Sequence, residues 1–347
     1  MRIIRGQSNL ARLGPTLAAG AVTIGNFDGV HCGHQAVLAQ VQRLAAEADL
    51  TTRVVVFEPQ PNEFFAPGNP TPRLTRLAEK LRLFAHFGVD EVLVLRFDDA
   101  FAALSAERFI EQILVHGLRV RALVIGDDFR FGQGRDGDFA ALQAAGVRFG
   151  FDVTRAATFA QAGERVSSTR IRAALAAHRF DAAARMLGRR YCIRGRVVHG
   201  RKQGRTIGFP TANIHLGRLQ VPLAGIFAVR VHGLGSEPIP GSGYVGTRPV
   251  VADNQTVLEV HLFDFAGDLY GRMLEVEFVA FVRGDLPFTS MEKLKEQIAR
   301  DNAEVRQILD QQPMRRRGEP SSVLPPRNGC VAPGLAAGTE DPMGPGT

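Results

Sequence analysis

The sequence lacks any run of apolar residues long enough to span a membrane, and its first ten residues, MRIIRGQSNL, contain no apolar signal-peptide core. We therefore expect a cytoplasmic protein without a membrane partner. It also lacks a G-x-G-x-x-G turn after its first strand and a loop that ends in Gly-Lys-Ser/Thr. These absences exclude a dinucleotide-binding Rossmann unit and a Walker A site.

Aromatic residues do not interleave with the basic ones, as they do where single-stranded nucleic acid stacks on a protein. The formal net charge of +7 is compatible with nucleic-acid binding, but the basic residues are spread along the chain apart from a cluster at 315–317. We assign them to small phosphate-bearing substrates and to the solvated surface, and expect no nucleic-acid partner. The sequence carries no signal for an oligomeric state.

A length of 347 residues predicts about two domains. Strands expected at 22–24, 53–57, 92–95, 122–125 and 147–153 alternate with helices, which predicts a parallel sheet covered by helices on both faces. Further on, strands expected at 197–198, 226–231, 257–265 and 273–282 are separated by turns, which predicts an antiparallel β-barrel, followed by a C-terminal helix. We assign the domains to 1–186 and 187–311, and a disordered tail to 312–347, where Pro, Gly, Arg and Ser dominate.

The segment 21–38, AVTIGNFDGVHCGHQAVL, is the most informative part of the chain. A short apolar strand precedes a glycine-bearing loop, and helical spacing begins near His34. A loop that leads into a helix N-terminus binds anions, because free N–H groups and the positive end of the helix dipole meet there. His31 and His34 could hydrogen-bond or protonate phosphate oxygens. Two surface histidines and half of a metal site are the alternatives.

The motif GNFDGVHCGH resembles the nucleotide-binding motif of the nucleotidyltransferase superfamily, in the form found in prokaryotic bifunctional riboflavin kinase/FAD synthetases. The resemblance implies that this domain transfers AMP from ATP to FMN, giving FAD and pyrophosphate, with His31 and His34 as catalytic residues. It assigns four further residues of the motif to the binding of ATP: Gly25, Asn26, Phe27 and Asp28.

Two later segments of the first domain follow expected strands, where open α/β sheets bind ligands. The segment FEPQPNEFF, residues 57–65, helps to enclose the flavin in the family, and a hydrophobic loop folded on its own core is the alternative. The segment GDDFRFG, residues 126–132, includes an aspartate that either contacts the flavin or forms a turn. The flavin-binding residues assigned here are Phe57, Pro59, Pro61 and Asp128.

The segment VSSTRIR, residues 166–172, predicts a capped helix N-terminus beside two arginines, which is an anion receptor. Arg170 and Arg172 point in different directions on a helix, so we expect only one to face the nucleotide. The resemblance to the family's ISSTxIR motif selects Arg172 as a catalytic residue. A plain helix cap is the alternative. The phosphate-binding residues assigned here are Ser167, Ser168 and Thr169.

In the second domain, the segment GRKQGRTIGFPTAN, residues 200–213, combines glycines and cations that suit a polyphosphate. Thr211 and Asn213 offer neutral oxygen ligands of the kind that Mg²⁺ accepts together with phosphate oxygens. The PTAN sequence resembles the flavokinase family specifically, whereas a basic turn would explain only the charges. The residues assigned to ATP and phosphate in this loop are Gly200, Arg201, Gly204, Arg205 and Gly208.

Glu259 lies on an expected barrel strand near this loop and is a candidate general base. In flavokinases the equivalent glutamate takes the proton of the ribityl 5′-hydroxyl, so the resemblance assigns this role to Glu259, with Glu275 and Glu277 as solvent-facing alternatives. Arg248, in a GTRP turn, is assigned to the flavin. The sequence departs from the family pattern at Phe227, where a tyrosine is usual, and at Val250, where a threonine is usual.

The resemblance covers residues from about 21 to 309 and implies two activities, with ATP as co-substrate and Mg²⁺ as cofactor. The barrel would phosphorylate riboflavin to FMN, and the first domain would convert FMN to FAD. Three alternatives remain at this stage: a nucleotidyltransferase with another substrate, such as a cytidylyltransferase, a catalytically silent flavin or nucleotide sensor, and a basic nucleic-acid-binding protein.

Overall fold

A computed structural model describes residues 1–68, 70–200, 208–217, 220–249 and 254–312. The first domain is built on one parallel sheet, and its strands are β1 (Arg2–Arg5), β2 (Gly20–Ile24), β3 (Thr51–Glu58), β4 (Glu91–Arg96), β5 (Val120–Ile125) and β6 (Asp152–Arg155). They lie in the order β1-β4-β3-β2-β5-β6. The chain moves outward from β2 to β4 on one side and then returns to β5 on the other. The carboxyl ends of β2 and β5 therefore flank a topological switch point, where ligands of open α/β sheets bind.

Helices cover this sheet and connect its strands. Their bounds are α1 (Gln7–Leu13), α2 (Cys32–Glu47), α3 (Pro61–Phe65), α4 (Leu77–His86), α5 (Asp99–Ala102), α6 (Ala106–Arg108), α7 (Phe139–Phe149), α8 (Ser168–Ala176) and α9 (Phe180–Leu187). A π-helical segment (Phe109–Gly117) continues α6, and 3₁₀ turns lie at Gly14–Thr16 and Gln133–Arg135. A small hairpin of β7 (Ala160–Gln161) and β8 (Glu164–Arg165) precedes α8. Ser105, Asp138 and Ser167 cap helices with their side chains, and the cap at Ser167 lies in the segment where the sequence predicts a capped helix N-terminus.

The second domain is a closed antiparallel barrel. Its strands are β9 (Cys192–Val198), β10 (Ala212–His215), β11 (Gly225–His232), β12 (Ile239–Pro249), β13 (Asn254–Leu262) and β14 (Met273–Arg283), and α10 (Met291–Gln311) follows them. They close in the order β10-β13-β12-β11-β14-β9. Leu258, Val260 and Leu262 of β13 lie in the barrel core, whereas Glu259 and His261 point to the other face. Both predicted domain architectures are confirmed, while the exact boundaries at 186 and 311 stay predictions.

The strand predicted at 147–153 exists, but its predicted bounds are wrong. Residues 139–149 form α7, which ends where Gly150 takes the left-handed conformation with φ 74°. The strand β6 begins only at Asp152, and the Val147 side chain is 90% exposed. The apolar run was misleading because its first part belongs to the outer face of a helix, which periodicity over so few residues does not distinguish from a strand.

The C-terminal helix α10 packs on the barrel through its second half. Val305 and Leu309 are buried there, whereas Met291 in the first turn is 57% exposed. Arg283 of β14 forms a bidentate ion pair with buried Asp301. The tail predicted at 312–347 lies outside the described residues from 313 onward. Among the described helices, none combines the length and the apolarity that a membrane crossing needs.

Helices α8 and α9 pack in the same apolar cluster as the barrel core. Leu175, Phe180 and Leu187 belong to the cluster that includes Phe227 and Phe278 of the barrel. Polar contacts reinforce this junction: Arg82 of α4 pairs with Glu275 of β14 at 2.6 Å, and Glu79 accepts a hydrogen bond from the backbone N–H of Arg194 at 2.9 Å. The two domains therefore share a core and do not meet through a flexible linker.

We predict that a fragment of residues 1–189 unfolds at a lower temperature than the full chain and binds a hydrophobic dye, because removal of the barrel exposes the apolar faces of α8 and α9. Calorimetry and dye fluorescence on both proteins provide the test. An equal unfolding temperature without dye binding would contradict this description of the junction.

Candidate functional sites

The loop between β2 and α2 forms a compact turn at the switch point of the sheet. α2 begins at Cys32, two residues earlier than the sequence suggests, and His31 is its N-cap. Phe27, Gly29 and Val30 have positive φ angles of 47°, 86° and 40°. A Cβ atom at Gly29 would lie 2.8 Å from Leu74 Cδ1, so both space and backbone conformation require glycine there.

His31 and His34 stack on each other at the start of α2. Their ring centroids are 3.6 Å apart with an angle of 15° between the planes, and His31 Nδ1 accepts a hydrogen bond from the His34 N–H at 3.3 Å. The Phe27 ring lies 5.0 Å from the His34 ring. The stacking fixes both imidazoles at the entrance of a helix N-terminus, which is the geometry expected of an anion site.

Both histidines are neutral at pH 7. Burial lowers the pKa of His31 from 6.5 to about 4, with the nearby cations Arg189 and Arg165 acting in the same direction and Asp28 against it. Burial also lowers the pKa of His34 well below its usual value, and His31 and Lys80 contribute. The sequence leaves two actions open for these rings, hydrogen bonding to phosphate oxygens and proton donation. A neutral ring favours the first.

A cavity of about 1070 Å³ opens in front of this loop. Many of the residues that the sequence analysis selects line it: Gly25, Asn26, Phe27, His31, His34, Phe57, Pro61, Asp128, Ser167, Ser168 and Thr169. Further aromatic rings complete its wall: Phe65, Phe97, Phe101, Phe109, Phe129, Phe131 and Phe159. The cavity therefore joins a polar end at two helix N-termini to an aromatic end that suits a planar ring system.

Pro59, which the resemblance assigns to the flavin, does not line this cavity. It is exposed beyond the end of β3, whereas Phe57 and Pro61 on either side of it reach the cavity. Asp128 lines the cavity with an exposed side chain, 3.9 Å from the Arg165 guanidinium. The sequence analysis missed Arg165 because it lies on a two-residue strand without a motif of its own.

The side chains of Asp28 and Arg172 bind each other and do not line the cavity. The buried Asp28 carboxylate accepts hydrogen bonds from the Leu74 and Thr75 N–H groups and from the Thr75 hydroxyl. It also pairs with Arg172 Nη2 at 2.6 Å, while Arg172 Nε donates to the Pro72 carbonyl. The Asp28 side chain therefore fixes the loop and Arg172 neutralises it, while the ATP-binding and catalytic roles assigned to these two residues stay predictions.

The N-terminus of α8 meets the same loop from the other side. The Ser167 hydroxyl accepts the Arg170 N–H at 3.3 Å and caps the helix, while the Ser168 hydroxyl donates to the Asp28 carbonyl at 2.9 Å. Arg170 pairs with Glu164 on the surface. The structure thus brings the segment 166–172 against the histidine loop, as the combination of the two motifs suggests. The contacts are the hydrogen bond from Ser168 to the Asp28 carbonyl and the ion pair of Arg172 with the Asp28 carboxylate.

A second polar cluster lies on the barrel, where β10 pairs with β13. Asn213 and Glu259 are direct cross-strand partners, and the Thr211 hydroxyl donates to Glu259 Oε2 at 3.4 Å. A Cβ atom at Gly200 would lie 2.2 Å from the Asn213 side chain, so glycine at this position leaves room for the amide. Strand pairing therefore brings together three of the residues that the sequence selects: Thr211, Asn213 and Glu259.

The donor set of this cluster suits a hard cation. A hydroxyl oxygen and an amide oxygen leave most coordination positions to water and to substrate phosphates, and Mg²⁺ keeps several waters when it binds phosphate oxygens. In the described residues, no three His, Cys, Asp or Glu side chains converge on one point as a metal site would require. The histidine pair of the first domain is thus not part of such a group among the residues described.

The two alternative glutamates of β14 are engaged elsewhere. Glu275 pairs with Arg82, and Glu277 lies 2.8 Å from the His232 ring and is only 3% exposed, so it is not solvent-facing as the sequence analysis suggested. Phe227 is fully buried in the barrel core. Several selected positions lie outside the described residues, or outside the described side chains in the case of Arg248: Arg201, Gly204, Arg205, Arg248 and Val250. Gly208 is described and exposed, with φ 87°.

Comparisons with known proteins match both domains. The family model described as FAD synthetase matches residues 15–170, and the one described as riboflavin kinase matches residues 187–309. A bifunctional riboflavin kinase/FMN adenylyltransferase of Escherichia coli (strain K12) is 51% identical over 309 residues, which cover 89% of this chain and 98% of that protein. The protein of the same description from Haemophilus influenzae is 48% identical over 87% of this chain and 97% of its own length.

A solved structure supports the arrangement of the two domains. The crystal structure of a protein described as a macrolide-efflux protein from Streptococcus pneumoniae has a TM-score of 0.70 and 27% sequence identity. The match covers 88% of this chain and 99% of that one. At this coverage the match includes residues of both the parallel sheet and the barrel.

The lowered pKa of His31 predicts an acid-dependent loss of stability. Because the folded pKa lies below the ordinary value of 6.5, the neutral ring stabilises the fold fully above about pH 6.5, and this contribution is lost as the pH falls towards 4. For this group alone the loss between pH 7.5 and pH 5 amounts to about 2 kcal/mol. His31→Asn keeps a capping oxygen but cannot titrate.

Denaturant unfolding at both pH values provides the measurement, with His116→Asn, at an exposed histidine, as the control. The native chain and the control should lose about 2 kcal/mol more than His31→Asn between the two pH values. Equal losses in all three proteins would show that His31 is not buried as a neutral ring.

Proposed function

The chain belongs to the bifunctional riboflavin kinase/FMN adenylyltransferase family, and from this premise we propose which of its residues serve each of its two reactions. The enzyme phosphorylates riboflavin with ATP to FMN and adenylylates FMN with a second ATP to FAD. We assign the adenylyl transfer to the cavity of the first domain. We assign the phosphoryl transfer to the Thr211–Asn213–Glu259 cluster on the barrel.

In the first domain, the FMN phosphate attacks the α-phosphorus of ATP and pyrophosphate leaves, so no covalent enzyme intermediate is needed. The neutral His31 and His34 rings donate hydrogen bonds to the phosphate oxygens on which charge develops. The N-terminus of α8 adds amide N–H groups and a positive dipole end. The aromatic wall of the cavity holds the isoalloxazine ring. Catalysis then rests on positioning and on charge stabilisation.

The observation that carries this assignment is the meeting of two helix N-termini and a histidine pair at one end of an aromatic cavity. A triphosphate and a flavin need these two kinds of surface next to each other. Arg172 serves this site by holding Asp28, and not by contacting the nucleotide. We therefore propose it as a residue that positions the loop.

On the barrel, Glu259 takes the proton of the ribityl 5′-hydroxyl while that oxygen attacks the γ-phosphorus of ATP and ADP leaves. Thr211 and Asn213 would hold Mg²⁺, which supplies positive charge to the phosphate oxygens when it is bound. The Thr211 hydroxyl also orients the Glu259 carboxylate, to which it donates. The glycine- and arginine-rich loop from Gly200 to Gly208 stays the predicted site of the ATP phosphates.

We predict that Glu259→Gln slows FMN formation by roughly 10²–10⁴-fold and leaves ATP binding unchanged, because the amide keeps the shape but cannot accept the proton. Initial rates with riboflavin and ATP, together with calorimetric ATP titration, provide the measurement. Glu275→Gln on the neighbouring strand is the control and should keep nearly full kinase activity. Near-normal FMN formation by Glu259→Gln would remove Glu259 from this role.

We predict that His34→Ala lowers FAD formation from supplied FMN by about 10²-fold or more, because it removes a donor to the reacting phosphate. Riboflavin phosphorylation by the same protein should remain within about twofold of normal, since His34 lies in the other domain. Chromatography of the flavin products gives both rates. Equal loss of the two activities would indicate misfolding or a single shared site.

A further inference from the structure

Protein donors bind every carbonyl oxygen from residue 26 to residue 30 of the histidine loop. Two of these bonds are local: the Val30 N–H donates to the Phe27 carbonyl, and the side-chain amide of Gln35 donates to the Val30 carbonyl. The other three come from more distant segments. Lys80 Nζ donates to the Asn26 carbonyl at 3.0 Å, Ser168 Oγ to the Asp28 carbonyl at 2.9 Å, and Arg189 Nη2 to the Gly29 carbonyl at 2.8 Å.

The bond from Lys80 differs from the others, because its donor is a fully buried ammonium. Lys80 is 0% exposed, and no carboxylate in the described part of the chain lies within ion-pairing distance of it. Burial lowers its pKa, and the more distant Asp28 opposes this effect. A buried cation is costly, so a neutral residue of similar length would make a more stable core if packing alone mattered.

The peptide group that Lys80 binds joins two residues that line the cavity, Asn26 and Phe27. In a trans peptide, the carbonyl and the N–H of the next residue point in opposite directions. With the Asn26 carbonyl held towards Lys80, the Phe27 N–H is directed away from Lys80. Phe27 also has a φ of 47°, a conformation that a non-glycine residue keeps only when its surroundings impose it.

We propose that Lys80 is a positioning residue for FMN adenylylation: it fixes the Asn26–Phe27 peptide so that the Phe27 N–H binds a phosphate oxygen of ATP. The proposal rests on the assignment of adenylyl transfer to this cavity. Lys80 does not touch the nucleotide. It acts through one peptide group, and its charge adds a positive potential beneath the anion site.

Arg53 provides a matched control, because it is an equally buried cation in the same sheet. It is 1% exposed, pairs with Glu91, and donates to the Leu118 and Ala18 carbonyls. These contacts lie at the beginning of β3, whereas the cavity lies beyond the carboxyl ends of the strands. Arg53→Met therefore perturbs the stability of the same domain without touching the histidine loop.

The experiment measures kcat and KM for ATP in FMN adenylylation, riboflavin kinase activity and unfolding temperature for Lys80→Met, Lys80→Arg and Arg53→Met. Lys80→Met should raise KM for ATP by about 10- to 100-fold, the effect of losing one charged hydrogen bond, with kinase activity within twofold. Lys80→Arg, which keeps a cationic donor, should recover part of this loss. Arg53→Met should lower the unfolding temperature and leave KM for ATP unchanged.

Two results would overturn the proposal. One is a normal KM for ATP in Lys80→Met, with activity reduced only in proportion to the folded fraction, as in Arg53→Met. The other, if Lys80→Met does not fold, is a normal KM for ATP in a folded Lys80→Gln protein, because glutamine removes the charge and is too short to replace the ammonium. Normal FAD formation by His34→Ala would instead refute the assignment of adenylyl transfer to this cavity.

Discussion

The hydrogen bonds of the loop between β2 and α2 determine which polar groups the first domain presents to its cavity. The loop at 25–30 lies at the switch point of a parallel sheet, and its carbonyl oxygens from residue 26 onward are bound by side chains or backbone of the surrounding protein. The Asp28 carboxylate is also turned inward, where Arg172 and the backbone of residues 74–75 bind it. With its acceptors directed into the protein, the loop presents amide groups and neutral imidazoles to the cavity, which suits a polyphosphate.

The barrel depends on a different constraint, which is strand register. Asn213 and Glu259 are opposite each other on β10 and β13, and alternation along β13 leaves Glu259 outside the core while Leu258 and Val260 fill it. A shift of one residue would bury the carboxylate and separate it from Thr211. Because α8 and α9 pack in the same apolar cluster as the barrel, two chemically distinct sites share one folded unit.

Much of this organisation could be predicted from the sequence, because local signals and tertiary structure agree. The alternation of strands and helices and the helix cap at Ser167 follow local rules, whereas Thr211 and Glu259 come together only through the pairing of β10 with β13. The pairing of Arg172 with Asp28 could not be predicted, since 144 residues separate them and a helix cap alone does not say which way an arginine turns. Lys80 belongs to none of the motifs identified in the sequence. Its importance depends on burial, which a sequence does not display.

The central claim is that two separate sites act in succession. The most direct test mixes two full-length variants, each of which lacks one of the two activities. His34→Ala and Glu259→Gln are incubated separately and together with riboflavin and Mg-ATP, and the flavins are separated by chromatography. The account predicts FMN alone from the first protein, almost no product from the second, and FAD from the mixture, because FMN made on one barrel reaches the cavity of the other protein. A mixture that forms no FAD, although His34→Ala releases FMN, would contradict the account.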